Sequence, residues 1–495
     1  MTGPAVTGDN GSRAAKAAGV NGGRRGHRDG PRDLTIVGAG PVGLLLAMLF
    51  AQRGYRVQVM EARSDPRRFP VPGGRSINLT LAERGWQALR LADVEDPLRA
   101  ISMPLGGRMI HAEDGELRFQ PYTPRGDAIF SASRAELTLR LLDLASEYDD
   151  IRIRFGVRCL SVDVRTRTLE LFTPSGAAAA RPRRVLAADG AFSAVRRSLL
   201  KHPAFRFYQR LSPISYRELK IPASPSGGFA YAPEALHIWP RGDCMIVGFP
   251  NIDRSFTVSV FMPAQGDLSF ASLSERETLD GFLLHSCSDL AVNLDNVAHD
   301  FFSGTPAPLL SCGCAPWVHG GWLGLIGDAA HTLVPFLGQG LNAGFEDCSV
   351  LMECLEECGH DWTETLEAFE ERRLPDAEAV TRLAEQHFDE LARAARDPGF
   401  VRRKALEDRL HSLAPDRFVP LYTMVAFERR PYTEIARGRA RSRCRGAARR
   451  RPSCRAGRSG RGRASAAAPR GPCDARIRGP APRGRARRSA ARRAA

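Results

Sequence analysis

A short β-branched run, DLTIV at 33–37, leads into a glycine-rich turn, GAGPVG at 38–43, and then into an unbroken apolar stretch, LLLAMLFA, closed by QRG at 52–54. The run predicts a buried strand and the stretch a buried helix ended by Gly54. YRVQVM at 55–60 predicts a second strand that closes at Glu61, so the chain opens as a βαβ unit. A polar loop containing PGGRSINL (72–79) precedes a helical pattern over about 82–92. Residues 108–122 alternate around the turn EDGE and predict a hairpin, whereas RAELTLRLLDLASE (134–147) repeats its apolar positions at helical spacing. Strands dominate 151–189 and 205–262, the latter broken by turns at SGG, RGD and NIDRS. Helical patterns return at 342–358 and 363–396 and continue with breaks at Pro398, Pro415 and Pro420. No internal repeat is visible. This order of elements predicts an α/β fold.

Composition divides the chain. At 495 residues there is room for two or three domains with substantial cores. The formal charge of +16 resides at the two ends: residues 441–495 hold 19 Arg, no Lys and one acid, Asp474, and residues 1–32 are basic by +4. Residues 33–440 therefore carry −6, which gives no reason to expect nucleic acid there. Of the last 55 residues, 53 are Arg, Ala, Gly, Pro, Ser or Cys, so the segment lacks the large apolar side chains that offset chain entropy. Both tails, 1–32 and 441–495, read as disordered. No apolar h-region opens the chain and no run of 18 apolar residues occurs, so neither a secretory signal nor a membrane anchor is expected. The eleven Cys show no CxxC pair, and no metal is expected. Cys312/Cys314 and Cys354/Cys358 read as free thiols.

Three motifs carry chemistry. In GAGPVG, Gly38, Gly40 and Gly43 permit a tight turn and the close approach of a pyrophosphate to a helix N-terminus; an acid some 20 residues on, here Glu61, suits a ribose hydroxyl. ADGAFSAVR (188–196) follows an apolar strand and contains Asp189. In GDAAHTLVPFLGQGLNAG (327–344), the apolar strand WLGLI delivers Asp328 to a glycine-rich loop and to a helix starting near Asn342, again placing backbone N–H groups beside a polar or anionic ligand.

In this order and spacing the three motifs resemble those of the single-component FAD aromatic hydroxylases, the p-hydroxybenzoate hydroxylase class. GRSINLTLAERG (74–85), RMIH (108–111), HIWPRGD (237–243), PNIDRSFT (250–257), VPFLGQGLNAGFEDC (334–348) and PLYTMVAF (420–427) resemble more narrowly the kynurenine 3-monooxygenase family, over about residues 33–437. The resemblance implies a discontinuous Rossmann-type FAD-binding domain (33–107, 131–200 and 315–362). A mixed β-sheet substrate domain (108–130 and 201–314) is inserted into it, and a C-terminal helical region (363–440) follows. It implies cofactor contacts from Gly38, Gly40, Gly43, Glu61, Arg63, Arg134, Asp189, Asp328, Gly338, Gly340, Leu341 and Asn342. It implies substrate contacts from Arg108 and Tyr122, on the α-carboxylate, and from Tyr422, His387, Glu390 and Phe336. A guanidinium fork suits a carboxylate, and a phenol adds a donor. His387 stands where the family usually has Asn.

The implied reaction is NADPH- and O₂-dependent hydroxylation of L-kynurenine to 3-hydroxykynurenine through a flavin C4a-hydroperoxide, with no obligatory catalytic base because the aniline nitrogen activates the ring. NADPH is a transient co-substrate, since only one dinucleotide fingerprint is present. The expected partners are thus an aromatic amino acid and O₂, in the cytoplasm; oligomeric state is not readable. Two other readings stand beside this one: a hydroxylase of another amino-aryl or aromatic acid, and a nucleic-acid-binding protein acting through its basic tail. The abrupt change of composition after RPYTEIARG (430–438) reads as GC-rich DNA translated out of frame.

Overall fold

The computed structural model describes residues 32–69, 77–290, 294–394, 398–415 and 417–438; the two expected disordered tails lie outside them but for Arg32. Leu34, Ile36, Val37, Val57, Val59 and Met60 are buried, as side chains from both faces of a covered parallel sheet must be. That sheet has six strands in the order Val318–His319, Leu323–Leu325, Val185–Ala187, Asp33–Val37, Arg56–Glu61 and Ile151–Phe155. All neighbours are parallel except the 318–325 hairpin. The Pro41–Ala51 helix packs on it; nine of its eleven residues are buried, which is why its sequence lacks a polar face.

A second, eight-stranded mixed sheet runs in the order His331–Thr332, Ala307–Ala315, Arg206–Ile221, Phe256–Pro263, Cys244–Pro250, Ala235–Arg241, Gly107–His111 and Leu117–Pro121. Its one parallel pair joins Gly107–His111 to Ala235–Arg241. Alternation splits its side chains between two apolar layers. Leu219, Trp239, Ile246, Val258 and Met262 pack on one face with Leu279, Leu283, Val297 and Phe301 from the Arg276–Ser286 and Leu294–Phe302 helices. Ile214, Leu236, Val247 and Phe261 pack on the other with Tyr122, Phe336 and Tyr422. Two three-stranded sheets complete the β-structure: Gly176–Ala180, Thr168–Thr173, Arg158–Asp163; and Asn78–Leu81, Ile129–Ser133, Met103–Leu105.

Four details differ from the sequence reading. Asn78–Leu81 is a strand where a loop is expected through residue 79, because it pairs with Ile129–Ser133. The helix after the 327–339 loop begins at Gly340, two residues earlier than its apolar pattern. The Arg276–Ser286 and Leu294–Phe302 helices stand where the sequence reading placed no element. His331–Thr332, inside the 315–362 segment, joins the eight-stranded sheet through Cys312 and Gly313. Among the described residues no helix is long and apolar enough to cross a membrane. Among the described residues eight cysteines are free, seven of them buried.

Candidate active site

The strand-to-helix turn at 38–43 is built for close approach. Gly38 sits at φ +106°, and a Cβ there would stand 2.4 Å from the Ala188 carbonyl oxygen. At Gly40 a Cβ would meet nothing within 4 Å, and no side chain caps the helix that begins at Pro41. The turn is thus tight where it faces protein and open where a phosphate would lie. Gly43 is buried against the Gly38 carbonyl.

Glu61 holds this turn from the end of the second strand. Its carboxylate accepts from Ala39 N–H at 2.9 Å and from the Arg63 backbone N–H and Nε at 2.9 and 2.8 Å. Burial pushes the Glu61 carboxyl up; hydrogen bonds and charge from the exposed Arg63 outweigh it and hold the group below its ordinary range.

Asp189 follows the Val185–Ala187 strand. Oδ2 accepts from Ala194 N–H at 2.8 Å and Val195 N–H at 3.3 Å, at the start of the Ala194–Leu199 helix. Oδ1 is sealed from solvent and has no hydrogen-bond partner. Burial raises this carboxyl, against the hydrogen bonds it accepts. Arg196, which the sequence reading did not single out, joins this motif to the next one. Its guanidinium donates to Ala329 O at 2.7 Å and Asp328 O at 3.3 Å, and also to Ala191 O.

Asp328 is exposed on the 3-10 turn Gly327–Ala329, within Coulombic reach of Arg134 and Arg196. Arg134 is exposed at the start of the Arg134–Ser146 helix, and its backbone N–H donates to Ile77 O at 3.0 Å. Gly338 closes the Pro335–Leu337 turn in left-handed conformation, and Gly340 and Leu341 begin the following helix, with Leu341 against the main core. Asn342 differs from these in that its side chain is fully buried and committed to protein. It accepts from Ala82 N–H at 2.8 Å and donates to Thr80 O and Gly338 O at 2.9 Å each. It therefore fixes the loop rather than presenting a side chain to a ligand.

Beneath the loop lies a buried ionic network that sequence reasoning missed. Arg373 donates from Nε to Asp347 at 2.8 Å and from Nη1 to Glu346 at 2.8 Å. Asp347 also accepts from Gly327 N–H at 3.1 Å and lies 2.7 Å from His331 Nε2. Arg84 donates to Glu346 and to Arg430 O, and its guanidinium lies 4.0 Å from the centre of the Tyr432 ring. The Tyr432 hydroxyl in turn donates to Gln339 Oε1 at 2.9 Å. Both ends of the 327–340 loop are thus tied to distant helices. The acids in GFEDC and the arginine in EERRLPD were the available signal.

The second half of the site sits on the eight-stranded sheet. Arg108, on the Gly107–His111 strand, is half-buried with Nε sealed from solvent and without a hydrogen-bond partner. Its guanidinium lies 4.1 Å from the Tyr422 ring centre and 5.5 Å from that of Tyr122. Among the described residues no carboxylate pairs with it. The two tyrosine rings stack at 5.1 Å and 26°. Tyr122 is buried, its hydroxyl has no hydrogen-bond partner, and burial pushes the phenol well above its ordinary range, so it stays protonated as a donor. Thr423 donates to Tyr122 O at 3.0 Å and ties the Leu421–Phe427 helix to this loop. Phe336 packs on Phe261 at 5.3 Å and brings the 335–337 turn to the same apolar cluster. His387, buried on the Trp362–Ala394 helix, lies with its ring 6.5 Å from Tyr422. The structure thus brings Arg108, Tyr122, Phe336, His387 and Tyr422 together; the Glu390 side chain lies outside the described residues.

The donor set fits FAD on the structure's own terms: an open phosphate cradle at Gly40, a buried orphan oxygen on Asp189, and a glycine-rich loop held from below. Among the described residues no group of three His, Cys, Asp or Glu could hold a metal ion.

Comparison with known proteins yields a family match and close relatives. Residues 32–384 match the FAD-binding domain family. The kynurenine 3-monooxygenase of Myxococcus xanthus is 40% identical over 402 residues, covering 81% of this chain and 86% of that protein. That of Christiangramia forsetii is 36% identical over 407 residues (81% and 90%), and that of Sus scrofa 37% over 408 (81% and 85%). Among solved structures, tetrameric 2-methyl-3-hydroxypyridine-5-carboxylic acid oxygenase superposes with a TM-score of 0.62 at 19% identity, covering 74% of this chain and 94% of that one. PqsL of P. aeruginosa in complex with 2-aminobenzoylacetate gives 0.60 at 20% identity, covering 75% and 98%. At such identities these two likenesses speak to fold alone.

Proposed function

Because the chain belongs to the kynurenine 3-monooxygenase family, we infer that it is an FAD-dependent monooxygenase that hydroxylates kynurenine with NADPH and O₂, and we propose that Arg108 is the anchor for the substrate carboxylate. One observation carries the second part. A guanidinium partly withdrawn from water, without an acidic partner, is costly unless a ligand supplies the anion. A ligand carboxylate over Arg108 would gain charge-assisted hydrogen bonds and would also satisfy the orphan Tyr122 hydroxyl. The stacked Tyr122 and Tyr422 rings, with Phe336 and Phe261, offer an apolar wall for an aryl group joined to that carboxylate.

When bound, FAD supplies the oxygen-activating chemistry. The chain's own residues have other tasks. Gly38, Gly40 and the start of the Pro41–Ala51 helix would receive the pyrophosphate, with Glu61, Arg63 and Arg134 toward the nucleotide and Asp189 and Asp328 toward the sugar-like hydroxyls. Gly338, Gly340 and Leu341 would border the ring system. Arg108, Tyr122 and Tyr422 would orient the substrate, and the apolar cluster around Phe336 would keep water from the reacting atoms. No group at Arg108 needs to move a proton. We place the FAD-binding part on the six-stranded sheet and the substrate part on the eight-stranded one. Glu390 belongs to the proposed substrate side by its helix alone.

The test is direct. FAD-loaded protein, NADPH, O₂ and L-kynurenine should show kynurenine-stimulated NADPH oxidation and yield 3-hydroxykynurenine; no stimulation and no product would sink the substrate assignment. His387 beside Tyr422 favours trying a second class, other amino-aryl carboxylates, in the same assay.

A further inference from the structure

The Gly107–His111 strand serves both faces of its sheet. Arg108 pairs in register with Leu236 on the side of the aromatic cluster, so Met109, His111, His237 and Trp239 fall on the opposite side. There, three side chains far apart in sequence form a chain of contacts. His237 Nε2 lies 2.8 Å from Ala232 O, His111 Nε2 lies 2.8 Å from His237 Nδ1, and His111 Nδ1 lies 2.6 Å from Asp289 Oδ2. Trp239 Nε1–H donates to both Asp289 oxygens, at 3.0 and 2.8 Å, and its ring stacks on His111 at 4.1 Å and 25°.

The number of protons follows from which atoms can only accept. A backbone carbonyl accepts, so His237 carries a proton on Nε2. The contact between the two rings needs one proton. A carboxylate accepts, so His111 carries one on Nδ1. Three protons on two imidazoles make one positive charge. His237 cannot hold it, because burial pushes that ring down to about 4. His111 stands beside the Asp289 carboxyl, which burial raises but which His111 and Trp239 hold below its ordinary range. The His111 N–H is off-axis to the oxygen, so the contact is an ion pair more than a formed hydrogen bond. The stacked indole face suits a cation.

This pair sits at the end of a strand that is paired on both sides. The outer neighbour, Leu117–Pro121, is an edge strand exposed at every residue. On the inner side Arg241 donates to His111 O at 2.8 Å and to Ser286 O. We propose that the His111–Asp289 ion pair, completed by His237, is a positioning device that fixes the strand carrying Arg108 and so sets the substrate carboxylate site from the far face of the sheet. It rests on the reading of Arg108 above.

Two measurements test it on the full, FAD-loaded chain. In ¹⁵N-histidine NMR of the unmutated protein, His111 should show both ring nitrogens protonated and His237 only Nε2; a neutral His111 overturns the relay. Asp289→Ala should raise the KM for L-kynurenine about tenfold while kcat stays within about threefold and FAD is retained, with Asp289→Glu largely restoring KM. An unchanged KM in Asp289→Ala, or a loss confined to kcat, overturns the positioning role. If Asp289→Ala fails to fold, Asp289→Asn, which removes the charge and leaves Trp239 an acceptor, answers the same question. If unmutated protein shows no response to kynurenine, the functional reading fails, while the NMR result still decides the relay.

Discussion

Arg108 and Arg373 are both drawn away from bulk water, and their surroundings treat them oppositely. Arg373 is buried and meets Asp347, Glu346 and the Ala343 carbonyl, with Asp376 at 3.6 Å. Arg108 meets two tyrosine faces and, among the described residues, no carboxylate. A satisfied buried arginine is part of the scaffold; an unsatisfied one is an invitation to an anion. Charge count near a residue thus separates support from binding better than residue type does.

Four experiments would break or sharpen that contrast. The largest effect is expected for Arg373→Met, which removes the one cation shared by Asp347 and Glu346, leaves them to His331 and Arg84, and should cost about 3 kcal/mol in chemical denaturation. The same change at Arg108 should leave stability level or slightly raised; equal losses at both sites would abolish the distinction. Next, Arg108→Ala should raise the kynurenine KM about 100-fold, the scale of truncating one partner of a charged hydrogen-bonded pair, with flavin absorbance intact. Loss of flavin would place Arg108 with the cofactor instead.

Third is acid stability. Burial raises Asp347, but His331 and Arg373 hold it below its ordinary range. A depressed carboxyl contributes stability that is fully present above its unfolded value, near 4, and is lost as pH falls through the folded one. The thermal midpoint should therefore fall below about pH 4, and Asp347→Asn should flatten that slope by on the order of 1 kcal/mol. An unchanged slope would remove Asp347 from the acid response. The smallest effect is Tyr122→Phe: the hydroxyl has no protein partner, so stability should hold while KM rises about fivefold, for roughly 1 kcal/mol. A drop in stability would mean the hydroxyl is already engaged.

How far the sequence speaks depends on the separation of the partners. GAGPVG is legible because strand, turn and helix are contiguous, and Glu61 lies only 22 residues from the Ala39 amide it accepts from. The Arg276–Ser286 and Leu294–Phe302 helices escaped notice because the first keeps only Leu279 and Leu283 inward and the second is a short nine-residue segment. Arg84 and Glu346 are 262 positions apart, His111 and His237 126 apart. Such pairs depend on topology, and periodicity along the chain cannot register them. RMIH and HIWPRGD marked a family likeness, yet the contact between their histidines appears only when two strands pair. Asn342 stood in a motif for its loop, and the fold shows its amide to be a clasp inside that loop.

The Tyr432–Gln339 hydrogen bond and the Arg84–Arg430 contact have a consequence for synthesis. The turn that would border the flavin ring is braced by residues made some 90 positions later, after the whole of both sheets. During translation the phosphate cradle at 38–43 emerges first, and the counterpart loop gains its Tyr432–Gln339 brace only when residue 432 arrives. A nascent chain stalled before Arg430 would therefore lack the Tyr432 brace on the turn proposed to border the ring.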